Sequence, residues 1–407
     1  MASHSKRALV IGGSVGGLFA GGLLRQAGWD VTVFERSMGD LSGRGAGLGI
    51  TQELIDIMTG MGVPFDPSIG IPYYTYQWRD LTGAMRHECP RPAVASVWAG
   101  IYRPLRDAFP DANYRDGMSL ARVEQDADGV IAIFEDGSRE TGDLLVAADG
   151  SLSSVRAQLL PEVAPSYAGY VAWRGLVAES ALPVSTREAV SGHIVFSFSA
   201  TEIALSMLVP GTGDDVREGH RRYYFIWYRP VDPQRGRRDL FTDEDGRDHG
   251  ISIPPPLIRN ALTQEVKSSA GDFFAPVVAA IVRETPQLLL QAISDLASPN
   301  LAFGRIAIMG DAAFIARPHV AGGTTKAALD AKCLVDALDD TKGDVPAAIA
   351  AYDLKQRKFG NDIVAHSRFL GSYIERQDGL PQPTPEQIMA GWGAPHLLHN
   401  ADLVAFS

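Results

Sequence analysis

A run of glycines near the amino terminus constrains the fold of this chain more than any other feature. The run, Gly12–Gly17, follows the apolar segment Arg7–Ile11 and precedes a helical pattern over residues 18–27 and then the segment DVTVFE, which ends in Glu35. A strand, a tight glycine turn, a helix and a second strand form the first unit of a parallel α/β sheet. In such a unit, the turn and the helix N-terminus bind a pyrophosphate, and a later acid accepts hydrogen bonds from ribose.

The sequence therefore predicts a dinucleotide site at this turn. Its predicted residues are Gly12, Gly13, Ser14, Val15, Gly16, Gly17, Glu35 and Arg36. Ser14 stands where the usual pattern has its second glycine, and its small side chain can itself donate to a phosphate. Taken alone, the glycine run also fits an ordinary strand–helix turn, and Glu35 is the feature that favours a nucleotide. An acid there suits an unphosphorylated ribose, which indicates FAD or NAD rather than NADP.

Composition limits the class of protein. The chain has 407 residues, of which 45% are hydrophobic. A chain of this length is longer than a single hydrophobic core usually supports, so we expect two domains. The net charge of −11 argues against nucleic acid or an anionic membrane as the main partner. Cys89 and Cys333 lie in no metal-ligand or disulfide pattern, so we expect reduced thiols and no metal site. No signal-peptide or membrane-spanning pattern is seen, and we expect a cytoplasmic protein.

Further segments of nucleotide-binding type lie far along the chain. They are Ala148-Asp149-Gly150, with Ser153 and Arg156, and Gly310-Asp311-Ala312-Ala313, with Pro318 and the pair Gly322-Gly323. Strand-rich sequence separates them, between residues 167 and 230. Helical patterns cover residues 256–266, 276–296 and 324–338, and the Pro-rich tail after Gln377 is predicted to be irregular. We therefore expect two interleaved domains rather than two consecutive ones.

In their order and spacing, these three motifs resemble the flavoprotein aromatic hydroxylases. The family shares a glycine turn, a segment A-D-G-x-x-S-x-V-R and a Gly-Asp segment followed by Pro, and the likeness extends over nearly the whole chain. Arg317-Pro318-His319 and residues 167–175 most resemble the pyridine hydroxylases of the family. The chain departs from the family pattern at two places. Phe314 stands where the family usually has His, and the segment that begins at Ala321 stands where the family has Gly-Gln-Gly.

The resemblance implies an α/β fold, in which an FAD-binding Rossmann-like domain is interleaved with a smaller mixed or antiparallel β-sheet substrate domain and C-terminal helices. The FAD-binding domain is predicted over residues 1–75, 101–165 and 271–345. The substrate domain is predicted to contribute strands over 76–100 and its β-sheet over 166–270, and residues 346–407 are predicted to form C-terminal helices and a tail.

The resemblance also implies roles for residues around FAD. Asp311 would contact the ribityl chain, Asp149 would lie near the pyrophosphate, and Arg103 would contact the flavin side chain. The helix that begins near Gly322 and Gly323 would direct its N-terminus at the flavin pyrimidine. Gly150, Gly310 and Pro318 complete the implied site. Arg44 either meets a cofactor phosphate or is a solvated loop residue.

The implied activity is hydroxylation of a small, electron-rich aromatic or N-heteroaromatic molecule. NADH or NADPH would bind transiently and reduce the flavin, which would react with O2 to form a C4a-hydroperoxide. An oxidase, dehydrogenase or epoxidase on the same fold, or a Rossmann protein that only binds NAD, is the alternative. A homodimer is expected from the family alone.

Candidate substrate contacts are less well defined. Ile203 and Met207 align with positions where a pyridine hydroxylase contacts its substrate through His and Tyr, so we expect a different substrate here. Tyr170 and Trp227 are further candidates, although aromatic residues such as those of Trp173-Arg174-Gly175 and residues 223–228 more often pack within a sheet. His319 is either an acid–base residue or a loop histidine bonded to the backbone.

Overall fold

The computed structural model describes residues 6–42, 47–64, 66, 70–232, 235–375 and 382–393. The strands in chain order are β1 (Arg7–Ile11), β2 (Asp30–Phe34), β3 (Gly47–Ile50), β4 (Ile71–Arg79), β5 (Met85–Val97), β6 (Tyr114–Arg115), β7 (Leu120–Gln125), β8 (Val130–Phe134), β9 (Arg139–Gly142), β10 (Leu144–Ala147), β11 (Ser166–Ala178), β12 (His193–Phe198), β13 (Ile203–Val209), β14 (Arg222–Pro230), β15 (Ser252–Ile253), β16 (Leu288–Ala297), β17 (Ala302–Phe303), β18 (Ile306–Ile308) and β19 (Phe314–Ile315). The helices are α1 (Val15–Gln26), α2 (Gln52–Gly60), α3 (Trp98–Ala108), α4 (Ser154–Leu159), α5 (Val184–Val190), α6 (Gly236–Leu240), α7 (Asn260–Phe273), α8 (Pro276–Glu284), α9 (Gly323–Asp340), α10 (Val345–Glu375) and α11 (Pro385–Gly391).

The first sheet is a mostly parallel one with the order β17-β18-β10-β1-β2-β6. Its central strands β18, β10, β1 and β2 run parallel to one another. Apart from Arg7 and Asp30, which begin β1 and β2, their residues are buried, as expected of strands covered on both faces. Because parallel strands end at the same edge of a sheet, the segments that begin at Gly12, Glu35, Ala148 and Met309 all lie along that edge. Three distant parts of the chain thus build one nucleotide-binding edge, as the motif order predicts.

The second sheet is larger and mixed, with the order β15-β16-β11-β14-β13-β12-β4-β5-β3. Successive residues of its strands face opposite sides, so odd-numbered residues of β13 such as Leu205 join the core shared with the first sheet, whereas Ala204 and Leu208 join a second core. That second core lies against α7 and α8. The predicted α/β fold with an interleaved sheet domain and C-terminal helices is confirmed. The exact segment boundaries given above stay predictions.

Two local predictions are wrong. Residues 288–297 form strand β16 rather than the end of a helix, because Pro286 disfavours helical backbone at Thr285, where α8 ends. β16 then pairs antiparallel with β11. The tail also contains a helix, α11, whose N-terminus is stabilised by a capping box between Thr384 and Gln387, with Pro385 at the first helical position.

Candidate active site

Three glycines of the first turn lie so close to neighbouring atoms that a side chain at any of them would collide. A Cβ atom on Gly12, whose φ is +105°, would lie 2.3 Å from the carbonyl oxygen of Ala148. A Cβ on Gly17 would lie 1.8 Å from the Gly12 carbonyl oxygen, and one on Gly13 would lie 2.3 Å from the Tyr114 hydroxyl. The packing of this turn therefore requires glycine at these positions.

The N-terminus of α1 is not capped by a side chain. Ser14 is the N-cap residue in extended backbone, and its hydroxyl makes no capping hydrogen bond. The first helical N–H groups, at Val15 and Gly16, therefore have no side-chain acceptor at Ser14 and suit a phosphate. Serine in place of the usual glycine is compatible with this arrangement, because its φ of −77° is not one that favours glycine.

Glu35 holds the end of β2 against the glycine turn. Its side chain is 6% exposed, and its two carboxylate oxygens accept the N–H groups of Gly13 at 2.8 Å and of Ser37 at 2.9 Å. Each oxygen keeps a second lone pair, which is the acceptor that a ribose hydroxyl needs. Arg36 is exposed beside it.

Asp149 lies against the same turn, after β10. Its Cα would be 3.0 Å from a Cβ on Gly12. One carboxylate oxygen, Oδ2, accepts the N–H of Ser154 at 2.8 Å at the start of α4. The other, Oδ1, is buried and has no hydrogen-bond partner among the described residues. A buried acceptor without a donor is unfavourable, so this oxygen is suited to a ligand donor. Gly150 follows with a φ of +80°.

Asp311 lies after β18 and is accessible within a cavity. Burial raises the pKa of its carboxyl, an effect that Lys326 opposes and Asp330 reinforces. The backbone of Gly310 is fixed from both sides, since its N–H donates to Asp330 at 2.8 Å and its carbonyl accepts from Lys326 at 2.8 Å. Among the described residues, no hydrogen bond to the Asp311 carboxylate is found. It is therefore an acceptor presented by a rigid turn.

The N-terminus of α9 lies beside Asp311. Gly322 is its N-cap residue, and no side chain caps the helix. Ala321 precedes it with a φ of +47°, a left-handed conformation that a non-glycine residue adopts at a cost of about 1–3 kcal/mol and that occurs mostly at functional sites. Gly323 and Pro318 line the cavity as well. The positive end of α9 can thus stabilise negative charge in a ligand.

The cavity has a volume of about 680 Å³ and lies between the carboxyl edge of the parallel sheet and the second sheet. From the first side it is lined by Asp311, Pro318, Gly322 and Gly323, which are predicted cofactor residues. From the second side it is lined by Leu205, Met207, Tyr224 and Ile226 on β13 and β14, and by Arg174 on β11. The structure therefore brings the predicted flavin and substrate regions together in one cavity.

The predicted substrate contacts divide by the face of the sheet on which they lie. Met207 lines the cavity. Ile203 is on the same face of β13 but is buried in the core and lies outside the cavity lining. Trp227 faces the opposite side, where it packs against Phe274 with ring centroids 5.0 Å apart, so the structure disfavours its assignment as a substrate contact. The reason is the alternation of side chains along β14, in which Tyr224 and Ile226 face the cavity and Trp227 does not.

Tyr170 and His319 form a buried pair outside the cavity lining. The Tyr170 hydroxyl lies 2.6 Å from Nε2 of His319, and both side chains are fully buried. Nδ1 of His319 has no partner among the described residues. Burial, together with the charges of Arg317 and Arg174, lowers the pKa of His319 to about 3. A neutral, enclosed histidine is poorly placed to exchange a proton with a ligand in the cavity, so the structure disfavours the acid–base assignment.

The predicted cofactor arginines are placed differently. Arg103, on α3, forms an ion pair of 2.6 Å with Asp214 in the segment after β13, and its side chain is 40% exposed. It therefore links the two sheet systems in addition to any contact with a cofactor. Arg44 lies outside the described residues.

Sequence reasoning missed several cavity residues. The sequence analysis did not recognise that Tyr224 and Ile226 lie on a different face of β14 from Trp227. Tyr224 pairs with Met207 and Ile226 pairs with Leu205 on β13, and this register distinguishes the residues that face the cavity. Arg91 and Trp392 also line the cavity and come from distant parts of the chain. No local sequence pattern marks them.

Within the part of the chain that the structure describes, no group of three or more His, Cys, Asp or Glu side chains is arranged to hold a metal ion. In the same residues, no helix has the length and apolar character needed to span a bilayer.

Comparison with known proteins agrees with this geometry. A family model described as FAD binding domain-like matches residues 167–295. The chain is 29% identical to 2,6-dihydroxypyridine 3-monooxygenase of Paenarthrobacter nicotinovorans, over 95% of this chain and 96% of that protein. It is 27% identical to the FAD-dependent urate hydroxylase of Klebsiella pneumoniae, over 89% and 88%.

The fold agrees with a solved structure as well. The structure of 2,6-dihydroxypyridine-3-hydroxylase from Arthrobacter nicotinovorans matches with a TM-score of 0.86 at 26% identity, covering 95% of this chain and 97% of that one. The predicted resemblance to the aromatic hydroxylases, and within them to a pyridine hydroxylase, is confirmed. The prediction of FAD as the cofactor is confirmed with it.

Proposed function

We propose that this chain is a member of the FAD-dependent aromatic hydroxylase family and a monooxygenase that hydroxylates a small hydroxylated N-heteroaromatic or phenolic ring. One observation carries the proposal. The cavity of about 680 Å³ is bounded by Asp311 and the N-terminus of α9 on one side and by Met207, Tyr224 and Arg174 on the other. This arrangement can place an aromatic ring against a flavin.

The residues at the carboxyl edge of the parallel sheet fit FAD. Gly12, Gly13 and Gly17 of the turn have no space for a side chain. The buried Oδ1 of Asp149 lacks a donor among the described residues, and the carboxylate of Asp311 is presented to the cavity. We propose that the turn and α1 hold the pyrophosphate, that Glu35 holds the adenosine ribose and that Asp311 holds the ribityl chain. Bound FAD would carry electrons from NADH or NADPH to O2 and so supply an electrophilic oxygen atom.

The protein's own contribution is to bind the ring, orient it and exclude water. Leu205, Met207 and Ile226 present apolar side chains to the cavity, and Tyr224 presents an aromatic one. Such walls favour a flat aromatic molecule and keep water away from reactive oxygen. The N-terminus of α9 would stabilise negative charge on a reduced cofactor.

The two relatives named above act on 2,6-dihydroxypyridine and on urate, both of which are nitrogen heterocycles that carry oxygen substituents. We propose this class for the present chain, with phenols as the second choice. The apolar side chain of Met207, which lines the cavity, supports a ring substitution different from that of the pyridine relative. A homodimer stays a prediction from the family resemblance.

The test is oxidation of NADH and of NADPH by the FAD-loaded protein in the presence of hydroxypyridines, hydroxylated purines and phenols. Peroxide is measured in each reaction, and products are identified by mass spectrometry. A compound that stimulates oxidation and gains one oxygen atom with little peroxide supports the proposal. Flavin reduction by a substrate without NADH or NADPH would instead identify an oxidase or dehydrogenase and overturn it.

A further inference from the structure

Lys326 is a buried lysine in the first turn of α9, beside the carboxylate of Asp311. Its side chain is 1% exposed, and it is the fourth residue of the helix. Burial of an ammonium group is unfavourable, because the group loses its hydration. The N-terminus of a helix also carries partial positive charge, which repels a cation in the first turn. A lysine in this position therefore needs a specific explanation.

The contacts of the ammonium group fix the turn that presents Asp311 to the cavity. Nζ of Lys326 donates to the carbonyl oxygen of Gly310 at 2.8 Å and to Oδ2 of Asp330 at 3.0 Å. The same carboxylate oxygen accepts the N–H of Gly310 at 2.8 Å. Both backbone groups of the residue before Asp311 are thus held by one buried ion pair.

A second buried cation holds the residue after Asp311. The side chain of Arg156, on α4, is 3% exposed, and its Nη1 donates to the carbonyl oxygen of Ala312 at 2.9 Å. Arg156 also interacts with the charge of Asp149. Asp311 therefore lies between two backbone carbonyls, each of which accepts a hydrogen bond from a buried cation.

The charges around Asp311 balance when its carboxyl is ionised. Burial raises the pKa of this carboxyl, Lys326 lowers it, Asp330 raises it and Arg156 lowers it. Two cations and one anion leave one positive charge, which an ionised Asp311 neutralises. A ligand in the cavity would exclude water from this carboxylate. The attraction between Asp311 and Lys326 would then strengthen, because the screening by water is lost.

No other basic side chain of α9 can take the place of Lys326. Lys332, the second basic residue of the helix, is about half exposed and pairs with Asp336. Nζ of Lys326 also lies 5.8 Å from the ring centroid of Phe314, and a cation is attracted to an aromatic face at such a distance. Phe314 stands where the family usually has His, so here a neutral ring lies beside the lysine.

We infer that Lys326 is a positioning residue for FAD: its buried charge balances that of the Asp311 carboxylate and keeps it as an acceptor for a hydroxyl of the ribityl chain. The role assigned to Lys326 rests on the proposed function, in which Asp311 holds that chain. An ionised carboxylate only accepts hydrogen bonds, whereas a protonated one carries a donor of its own. FAD should therefore bind more weakly as the pH falls through the pKa of Asp311.

The test measures the Kd of FAD as a function of pH, without turnover. The full chain is freed of flavin by dialysis, and rebinding is followed by FAD fluorescence between pH 4.5 and pH 8.5. Lys326→Met removes the charge and keeps an unbranched side chain. We expect the midpoint pH at which FAD affinity falls to rise by at least about one unit, the effect of one opposite charge on a nearby carboxyl. Below that midpoint, the variant should bind FAD at least about tenfold more weakly than the wild type.

Four further variants separate the effect of charge from that of shape. Asp330→Asn removes an anion and should move the midpoint to lower pH, opposite to Lys326→Met. Lys326→Arg keeps the charge and should move the midpoint by less than about half a unit, although its donors differ in geometry. Asp311→Asn should bind FAD more weakly and abolish the dependence on pH. Lys332→Met, which removes the exposed cation of an i,i+4 pair on the same helix, should behave as the wild type.

A Kd that is unchanged, or raised equally at every pH, in folded Lys326→Met would overturn the inference. A rise of the midpoint in Asp330→Asn would also overturn it, because the sign of the removed charge would then not matter. Thermal unfolding at each pH identifies variants that do not fold, and Asp330→Asn and Lys326→Arg carry the test if Lys326→Met is one of them. Failure of the proposed function has a different result, in which the wild type binds FAD with the expected dependence on pH yet transfers oxygen to no compound of the panel.

Discussion

The guanidinium of Arg91, on strand β5, donates a hydrogen bond of 3.1 Å to the backbone carbonyl of Trp392 at the end of α11. It donates a second one, of 2.7 Å, to the carbonyl of Ala390. Trp392 is buried, with its ring 5.4 Å from that of Phe196 and 5.4 Å from that of His319. The end of the described chain is thus anchored on the second sheet and forms part of the cavity wall.

This anchor predicts a role in oxygen use. Arg91→Gln removes the charged donor and should loosen residues 382–393, which admits water to the cavity. We expect the fraction of NADH oxidation that yields peroxide to rise at least about twofold, because losing a charged hydrogen bond weakens such an anchor by about 1.5–3 kcal/mol. The matched control is Arg86→Gln on the same strand, an exposed residue paired with Asp80. An unchanged peroxide fraction in Arg91→Gln would show that the anchor does not exclude water.

The glycine turn predicts loss of the flavin on a minimal change. In Gly17→Ala, the new Cβ would lie 1.8 Å from the backbone oxygen of Gly12, which cannot move without displacing the turn. We expect purified Gly17→Ala to carry less than about a tenth of the wild-type flavin, since a shift of about 1.4 kcal/mol in binding is tenfold. The ratio of flavin to protein absorbance measures this. Gly60→Ala, in α2 with open space around its Cβ position, should keep the wild-type ratio, and equal ratios in both variants would contradict the assignment of the turn.

The features that could be predicted from the sequence are those that depend on residues close together in the chain. The three cofactor motifs each follow a short buried strand, so the glycine turn, Asp149 and Asp311 could be placed at one edge of a parallel sheet from their neighbours in the chain. The interleaved order of the domains followed from the same motifs. These features depend on strand–turn–helix chemistry within a few residues.

The substrate side depends on relations that a single sequence does not contain. Tyr224 and Trp227 both belong to the aromatic strand β14, and only the orientation of the sheet decides which faces the cavity. The leucine-rich segment 288–297 fits a helix or a strand until its pairing with β11 is known. The contact between Arg91 and Trp392 joins residues about 300 positions apart and leaves no trace in either local pattern.

The buried His319 predicts how stability depends on pH. Its pKa is about 3 in the folded protein against an ordinary value of 6.5, so between these pH values the unfolded chain binds a proton that the folded protein does not. The contribution of His319 to stability is therefore complete above pH 6.5 and is lost as the pH falls, by at most about 1.4 kcal/mol per pH unit. His319→Gln should reduce this slope in urea unfolding between pH 6 and pH 4. An unchanged slope in His319→Gln would contradict this origin of the pH dependence.

The burial of His319 also predicts that this residue does not contribute to the pH dependence of kcat. Because His319 stays neutral and enclosed, kcat of His319→Gln should show the same dependence on pH as that of the wild type between pH 6 and pH 9. Loss of one limb of the profile in this variant would restore His319 as an acid–base residue.

Substitutions on the two faces of the second sheet should have different effects. A substitution on the face away from the cavity should lower stability, whereas one on the cavity face should weaken substrate binding. Trp227→Phe removes the indole that packs against Phe274 and donates to the buried Glu202, so we expect the free energy of unfolding to fall by about 1–3 kcal/mol. Its KM for the aromatic substrate should stay within about twofold of the wild type, because the side chain lies outside the cavity. Met207→Ala should instead raise KM about 3- to 30-fold through lost contact with the ring, with a smaller loss of stability at the cavity surface. Urea unfolding and steady-state kinetics on both variants check this, and a raised KM in Trp227→Phe with unchanged stability would show that the faces have been assigned the wrong way round.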